Sequence, residues 1–272
     1  MIIGITSDSR INEYAASLVT LLASHGHAPI FIIRSRGRSP SGWRPRLRRA
    51  LADSAAGARL RRYRSTSQEA TRYLRAHVEA ARGQGQPSTA LDWPLTRVCE
   101  AHQMKFFNTG SMNDSPAIDF VRDQGTDLLI NAGGGIFKHE LVQAPRMGIL
   151  NAHMGSLPAF RGINVLEWSL FNDQPAGVTV HFIDRGIDTG DVLLFGEIRV
   201  ETTDTISTLR AKALVTGVEL IVKAVGELAS SGLPRTEQRG DAGRQYFAMH
   251  PRLKQIVEDR LHTTQGGQDG PT

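Results

Sequence analysis

Residues 2–33 read IIGITSDSRINEYAASLVTLLASHGHAPIFII. Ile2–Thr6 is an apolar run of strand length, broken by Ser7-Asp8-Ser9. Apolar residues then recur at helical spacing through Tyr14, Leu18, Leu21 and Leu22, and Gly26 stops the pattern. Pro29–Ile33 is apolar again and reads as a second strand. Strand, helix and strand within so short a stretch form a βαβ start, which predicts an α/β fold with a mostly parallel sheet and helices on both faces.

The same alternation is expected further on. Arg34–Gly42 is rich in Gly, Ser and Pro and reads as loop, Arg46 to Arg82 as surface helix, and Gly83–Ser88 as a break. Pro94–His102 predicts a helix and Lys105–Phe107 a short strand. Ser115-Pro116 predicts a helix start, with Ser as N-cap and Pro in the first turn, ending at Gln124-Gly125. Asp127–Asn131 is a strand of the buried type running into Gly133–Gly135. A helix is expected near Lys138–Ala144 and a strand over Gly148–Asn151. Val178–Ile183 alternates apolar and polar residues and predicts a half-buried strand. Thr205–Ala229 has sustained helical periodicity, with Asp204 as its cap, and no internal repeat is found. These elements suggest a catalytic domain over 1–229 with an Arg-rich insertion at 34–88. A short helical extension at 230–262 and a disordered tail at 263–272 complete the division.

The length, 272 residues with 40% hydrophobic and 22% charged, suits one large domain or one domain with an appendage. A single cysteine, Cys99, excludes an internal disulfide framework and a zinc site of several thiolates. No apolar run approaches the roughly 18 residues of a membrane span. Met1–Ile5 lacks the features of a signal peptide, so a cytoplasmic protein with no membrane partner is expected. The net charge of +5 is uneven: Arg34 to Arg82 holds 14 arginines, no lysine and three acids (Asp53, Glu69, Glu79), a net +11 that leaves −6 elsewhere. Such a block can attract nucleic acid, phosphate or a polyanionic cofactor tail, although a solvated Arg-rich insertion is the plainer account. His25 and His27 have no third ligand nearby in sequence, and no metal is expected.

Two stretches carry the chemistry: Asn151-Ala-His153-Met-Gly-Ser-Leu-Pro158-Ala-Phe-Arg161-Gly162, and Gly177-Val-Thr-Val-His181-Phe-Ile-Asp184-Arg-Gly-Ile-Asp188-Thr-Gly190-Asp191. In the first, a strand ends in an amide and an imidazole two residues apart, which puts both side chains on one face. They fall at the carboxyl edge of a parallel sheet, where open α/β folds place ligands. In the second, a strand enters a Gly- and Asp-rich loop able to return a carboxylate to that edge. An amide donor, an imidazole and a carboxylate suit acyl transfer through a tetrahedral oxyanion, with no serine or cysteine nucleophile if the acceptor is an amine. A hydrogen-bonded strand edge beside an ordinary Asp-rich turn would show the same residues.

These two runs resemble the signature of the folate-dependent formyltransferase family: Asn-x-His…Leu-Pro…Arg-Gly, then Gly-Val-Thr-Val-His…Asp-x-Gly-x-Asp-Thr-Gly-Asp about 26 residues further on. The resemblance runs from Met1 to Ala229, strongest over Asp127–Val200 and weakest across Arg34–Arg82. It implies a Rossmann-like sheet and 10-formyltetrahydrofolate as formyl donor, a place in one-carbon metabolism. By carry-over, Asn151, His153 and Asp188 match the catalytic trio. Leu129–Ile136, with Leu129, Ile130, Gly133, Gly134, Gly135 and Ile136, matches a folate-binding segment, as do Asp184 and Ile187. Gly133–Gly135 lacks the spacing of a dinucleotide loop and reads as close backbone approach to a pteridine, or as a plain turn. Ser7, Arg10, Arg161, Gly162 and Trp168 fall on the substrate side. Trp168 stacks on an acceptor ring or fills core, and His181 supports the catalytic loop or is simply structural.

The family usually has Pro-Ser after its histidine, where Met154-Gly155 stands here, which puts the shape of the acceptor pocket in question. Glycinamide ribonucleotide enzymes carry a Gly-Ser-Asn phosphate loop after the first strand, where this chain has Thr6-Ser7-Asp8-Ser9-Arg10. Methionyl-tRNA enzymes carry a C-terminal barrel, and the residues after Ala229 are expected to be too few for one. The expectation is transfer to a primary amine of a small molecule, an amino sugar or a natural-product precursor. Asn151 and protonated His153 would hold the oxyanion, and Asp188 would support the imidazolium. The alternatives are a formyltetrahydrofolate hydrolase, a glycinamide ribonucleotide or methionyl-tRNA type enzyme, and a non-enzymatic RNA-binding module built on the Arg-rich segment. A nucleic-acid partner is disfavoured, and a homo-oligomer is left open.

Overall fold

A computed structural model describes residues 1–35, 71–81, 91–230, 232–239 and 242–263. The apolar run at the start forms β1 (Ile3–Ser7), followed by α1 (Glu13–Ser24), β2 (Phe31–Ser35) and helical residues 71–81 (α2). Then come α3 (Leu95–Ala101), β3 (Lys105–Thr109), α4 (Ser115–Asp123), β4 (Leu128–Asn131), α5 (His139–Val142) and β5 (Gly148–His153). The rest is β6 (Phe160–Gly162), α6 (Val165–Phe171), β7 (Gly177–Phe182), β8 (Val192–Glu197), α7 (Ile206–Ser230), β9 (Arg244–Tyr246) and α8 (Pro251–Thr263).

Seven strands form one sheet in the order β3-β2-β1-β4-β5-β7-β8. The first five are parallel, and β7 and β8 run antiparallel to their neighbours. The chain steps outward from β1 to β2 and β3, then returns to the other side of β1 with β4. That reversal opens a crevice at the carboxyl ends of β1 and β4. Strand periodicity splits the apolar residues between the two faces. Ile3, Ile5, Ile32, Leu128, Ile130 and Leu150 face α1, α2, α3 and α7. Phe31, Ile33, Leu129 and Ile149 face α4 and α5. A third cluster joins α6, α7 and α8 over Val178.

Several local expectations are corrected. The helix α4 is preceded by Asp114 rather than capped by Ser115; Asp114 spends its carboxylate on the Ser111 N–H at 2.9 Å. For α7, Thr205 is the cap: its Oγ1 accepts from the Thr208 N–H at 3.1 Å, while Asp204 instead accepts from Lys212 at 2.7 Å. Strand β7 is buried along its whole length. Its polar face is covered by residues 155–157, whose Gly155 carbonyl and Leu157 N–H both bond Thr179 Oγ1. The extension after Ala229 is more than helical, since β9 pairs with β6. Most of the Arg-rich block, the break at Gly83–Ser88 and the tail after Thr263 lie outside the described residues. Within 71–81, Leu74 and Val78 are buried against the first core, so this part of the expected surface helix has an inward face. No described helix is long and apolar enough to cross a membrane.

Glu167 on α6 locks the extension in place. It is wholly buried, and its Oε1 accepts from Arg210 of α7 at 2.6 Å and Lys254 of α8 at 3.1 Å. Burial raises its pKa, but the two cations outweigh that and hold the carboxyl below the usual range. Glu167→Gln should therefore cost about 1–3 kcal/mol in urea unfolding, less than a fully buried pair because both cations are about a third exposed. Unchanged unfolding midpoints would show that the clamp contributes nothing.

Candidate active site

Strand β5 delivers Asn151 and His153 to the carboxyl edge on one face, as period two requires. Asn131, at the end of β4, donates from Nδ2 to Asn151 Oδ1 at 3.0 Å. Asn131 Oδ1 in turn accepts from Thr6 Oγ1 at 3.2 Å and from the Gly133 N–H at 3.1 Å. Asn151 Nδ2 donates to His181 Nε2 at 3.1 Å, and His181 Nδ1 donates to the Phe182 carbonyl at 2.8 Å. Burial first, then the neighbouring His153, pushes His181 down to about 4 against the pull of Asp188. His181 is therefore neutral at neutral pH, an acceptor that fixes the Asn151 amide and leaves its second amide hydrogen for a ligand.

The β7–β8 connection closes on itself. Asp184 Oδ1 accepts from the Gly186 N–H at 3.0 Å and from Thr189 Oγ1 at 2.6 Å. Gly190 sits so close to the Phe182 carbonyl that a Cβ there would overlap it. The turn carries Asp188 at φ +54, a left-handed backbone that aspartate tolerates better than most residues. Asp188 Oδ2 accepts from the Gly162 N–H at 2.8 Å and lies 3.4 Å from His153 Nδ1; Oδ1 lies 3.7 Å from His181 Nε2.

Asn151, His153 and Asp188 therefore lie around His181, which Asn151 hydrogen-bonds and which stands 3.7 Å from Asp188, itself 3.4 Å from His153. The detail differs at His153. It is 6% exposed, its Nε2 donates to the Phe160 carbonyl at 2.8 Å, and its Nδ1 faces Asp188. The ring is engaged by the protein on both nitrogens, which leaves the Asn151 amide as the freer N–H of the two. Cys99 is buried, and burial pushes its thiol up to about 12, so it offers no thiolate.

The folate-side residues divide. Leu129 and Ile130 lie wholly buried in the two cores on opposite sheet faces and present no side chain to the cleft. Gly133–Gly135 all have positive φ. At Gly133 a Cβ would crowd Asp8 of the β1 loop, and at Gly134 it would strike Phe137, whereas at Gly135 it would meet open space. Only Gly135 thus offers bare backbone to a flat ligand, with Ile136 (76% exposed) beside it. Asn113 braces this loop, donating to the Ile136 carbonyl at 2.9 Å and accepting from the Lys138 N–H at 2.7 Å. Arg185 and His139 touch at 2.8 Å, bringing the turn holding Asp184 and half-exposed Ile187 next to α5.

On the substrate side, Ser7 is buried and spent on Ser9 and Asn12, so it braces the β1 loop rather than meeting a ligand. Arg10 is exposed. Arg161 is buried against Gln238 and the Arg239 carbonyl. At Gly162, φ is +101 and a Cβ would overlap the Tyr246 carbonyl. Trp168 donates to the Phe247 carbonyl at 2.9 Å and packs against Tyr246 and Phe171, which makes it a packing residue. Sequence reasoning missed Asn131, although a polar residue ending a buried strand is the same signal that singled out Asn151. Gln238 belongs to no motif.

A mostly parallel sheet with helices on both faces and polar side chains gathered at the carboxyl ends of its strands is a Rossmann-like fold. Residues 59–225 match the model of the formyl transferase family, and the chain belongs to that family. A methionyl-tRNA formyltransferase from Methylacidiphilum infernorum (isolate V4) is 30% identical over 163 residues, 59% of this chain and 51% of the relative. The chain thus spans about half the length of the curated relatives it matches. A sugar N-formyltransferase from a Shewanella species has the same fold, with TM-score 0.57 at 15% identity over 96% of this chain and 87% of that one. So does an N-formyltransferase from Helicobacter canadensis in complex with folinic acid and dTDP-3-aminofucose, with TM-score 0.54 at 14% identity over 96% and 81%.

The depressed pKa of His181 sets a sign for stability. The unfolded chain binds this proton near pH 6.5 and the folded one only near 4, so folding loses stability as pH falls across that window. His181→Gln should lose less stability than the wild type between pH 7 and 4.5 in urea titrations. Equal losses would show that His181 is not the group responsible. Imidazole nitrogen NMR of the wild type at pH 6 should find His181 neutral with its proton on Nδ1.

Proposed function

We propose that this chain is a folate-dependent N-formyltransferase that moves a formyl group from 10-formyltetrahydrofolate to a primary amine of a small molecule, an amino sugar or a natural-product precursor. The observation that carries the reading is the gathering of Asn151, His153 and Asp188 around His181 at the carboxyl edge of the sheet. The residues present fit a reduced folate: Gly135 leaves room over its backbone, and Ile136 and Ile187 give apolar rims beside the turn bearing Asp184. The fold neighbour from Helicobacter canadensis, bound to folinic acid and dTDP-3-aminofucose, supports the same pairing of a folate with an amino sugar.

When bound, 10-formyltetrahydrofolate supplies the electrophilic formyl carbon and the leaving nitrogen. The chain's own residues do the rest. Asn151, oriented by Asn131 and His181, presents an N–H to the charge developing on the formyl oxygen. His153 and Asp188 act as a proton-handling pair. The carboxylate is held by the Gly162 N–H and lies 3.4 Å from His153 Nδ1, close enough for a proton to pass between the two groups. Asp188 then takes up the proton released by the attacking amine and passes it toward the leaving nitrogen, directly or through water.

The test is a panel of acceptors with 10-formyltetrahydrofolate: dTDP-3-aminofucose, glycinamide ribonucleotide, initiator methionyl-tRNA, and water alone. Turnover with an amino sugar supports the reading, and formate release with no amine present would instead mark a hydrolase. With the active acceptor, His153→Ala and Asp188→Asn should each lower kcat by roughly a hundred- to a thousandfold. Donor affinity should stay within roughly tenfold, or about 1.4 kcal/mol. The double variant should be little worse than the worse single one, because the two residues act as a unit. Near-wild-type turnover in Asp188→Asn would make the carboxylate structural.

A further inference from the structure

Residues 232–239 run back over the β7–β8 connection, where Val192 and Thr236 exchange backbone hydrogen bonds of 2.9 and 2.8 Å. This crossing sets Gln238 between Arg161 and the turn that carries Asp188. Gln238 Nε2 donates to the Gly190 carbonyl at 2.6 Å and to the Asp188 carbonyl at 3.1 Å. Its Oε1 accepts from Arg161 Nη2 at 3.3 Å and Nε at 3.4 Å. Only this orientation of the amide is tenable. The flipped one would set oxygen against two carbonyls and the NH2 group against a guanidinium.

The turn needs such a fastening. Asp188 holds a left-handed backbone, a conformation that persists in a non-glycine residue only when its surroundings over-determine it. Asp184 closes the turn from within, on Gly186 and, across Asp188, on Thr189. Gln238 adds the grip from outside the turn, on the carbonyl of Asp188 itself and on that of Gly190, and Asp188 is the residue whose carboxylate must stay on the Gly162 N–H and beside His153. Arg161, 7% exposed, backs the amide and is anchored further to the Arg239 carbonyl at 3.4 Å. We infer that Gln238 is a positioning residue for the reaction: from the C-terminal segment it holds the Asp188 turn in register with His153. This role rests on the formyl-transfer reading and extends the working site beyond the two motif stretches.

Gln238→Glu separates positioning from packing. It keeps the size of the side chain and strengthens the partner offered to Arg161, but it turns an acceptor toward both turn carbonyls. With whichever acceptor turns over in the panel, kcat should fall about ten- to a hundredfold, as for a small misplacement of a reacting group. The donor KM should rise less than kcat falls, because Ile187 lies on the loosened turn whereas Gly135 and Ile136 lie outside it. Backbone amides of residues 184–191 should exchange hydrogen faster while those of β4 and β5 do not. If Gln238→Glu fails to fold, Gln238→Met, which also removes the donor, carries the same expectations for kcat, KM and exchange. A kcat within about twofold of wild type, or unaltered exchange in the turn, overturns the role. If the wild type transfers formyl to no acceptor and releases no formate, the formyl-transfer reading fails and the catalytic role falls with it. Exchange in the turn then still reports whether Gln238 holds it.

Discussion

One backbone carbonyl orients the amide half of the site. Phe182 O accepts from His181 Nδ1, so the Nε2 of this neutral ring can only accept. Asn151 must therefore turn its NH2 toward His181 and its oxygen toward β4, where Asn131 must donate. Asn131 is then left with its own oxygen for Thr6 of β1 and the Gly133 N–H. The line crosses β1, β4, β5 and β7 in register, and each bond fixes the sense of the next. A typical bond in it is worth about 1 kcal/mol net, but an orphaned buried partner costs about 1–3 kcal/mol, so flipping either amide breaks several contacts at once. The Asn151 N–H is preorganised by this chain of necessity rather than by any single strong contact.

The same parallel sheet that carries this line also sets what surrounds it. Because β4 returns beside β1, the loops after the two strands meet, and Gly133 lacks a side chain where Asp8 passes. Asn12 fastens the meeting point, donating to the Ala132 carbonyl at 2.6 Å and to Ser7 Oγ at 2.9 Å. Ser7, which resembles a ligand-binding hydroxyl by position, is consumed in holding the crevice open.

What was legible in the sequence is what local rules govern. The periodicities of residues 2–33 were enough for the parallel sheet, and the spacing of Asn151 and His153 for their shared face. The repeated glycines and aspartates after β7 marked a turn that returns a carboxylate. What stayed hidden depends on distant partners. Ser115 and Asp204 fit the composition of caps, yet the position before each helix falls to Asp114 and to Thr205, with Asp204 drawn to Lys212 further along the helix. Val178–Ile183 alternates as a half-exposed strand does, but its polar positions are satisfied by the 155–157 segment and by Asn151, which no periodicity can announce. Leu129 and Ile130 match a folate-binding segment by motif, and their burial on opposite faces follows from strand alternation within a covered sheet. Arg161 looks like a free cation beside a site until Gln238, far along the chain, is placed against it.

The segment after α7 changes how the site must be understood. Gly162 gives its N–H to Asp188, and its missing Cβ admits the Tyr246 carbonyl, so one residue joins the carboxylate to β9. Phe160 accepts from His153 and stacks its ring on Tyr246 at 5.2 Å, so the imidazole is tied to the same strand. Strand β6 therefore serves as a hinge between two dependencies: its backbone fixes both members of the His153–Asp188 pair, and β9 fixes its backbone. Strand β9 is in turn held by Trp168 on the Phe247 carbonyl, and α8 by Glu167 on Lys254. The geometry of the His153–Asp188 pair is thus set from the C-terminal side, whereas the Asn151 amide is set from the sheet, and the proposed reacting centre lies where these two independently built supports meet.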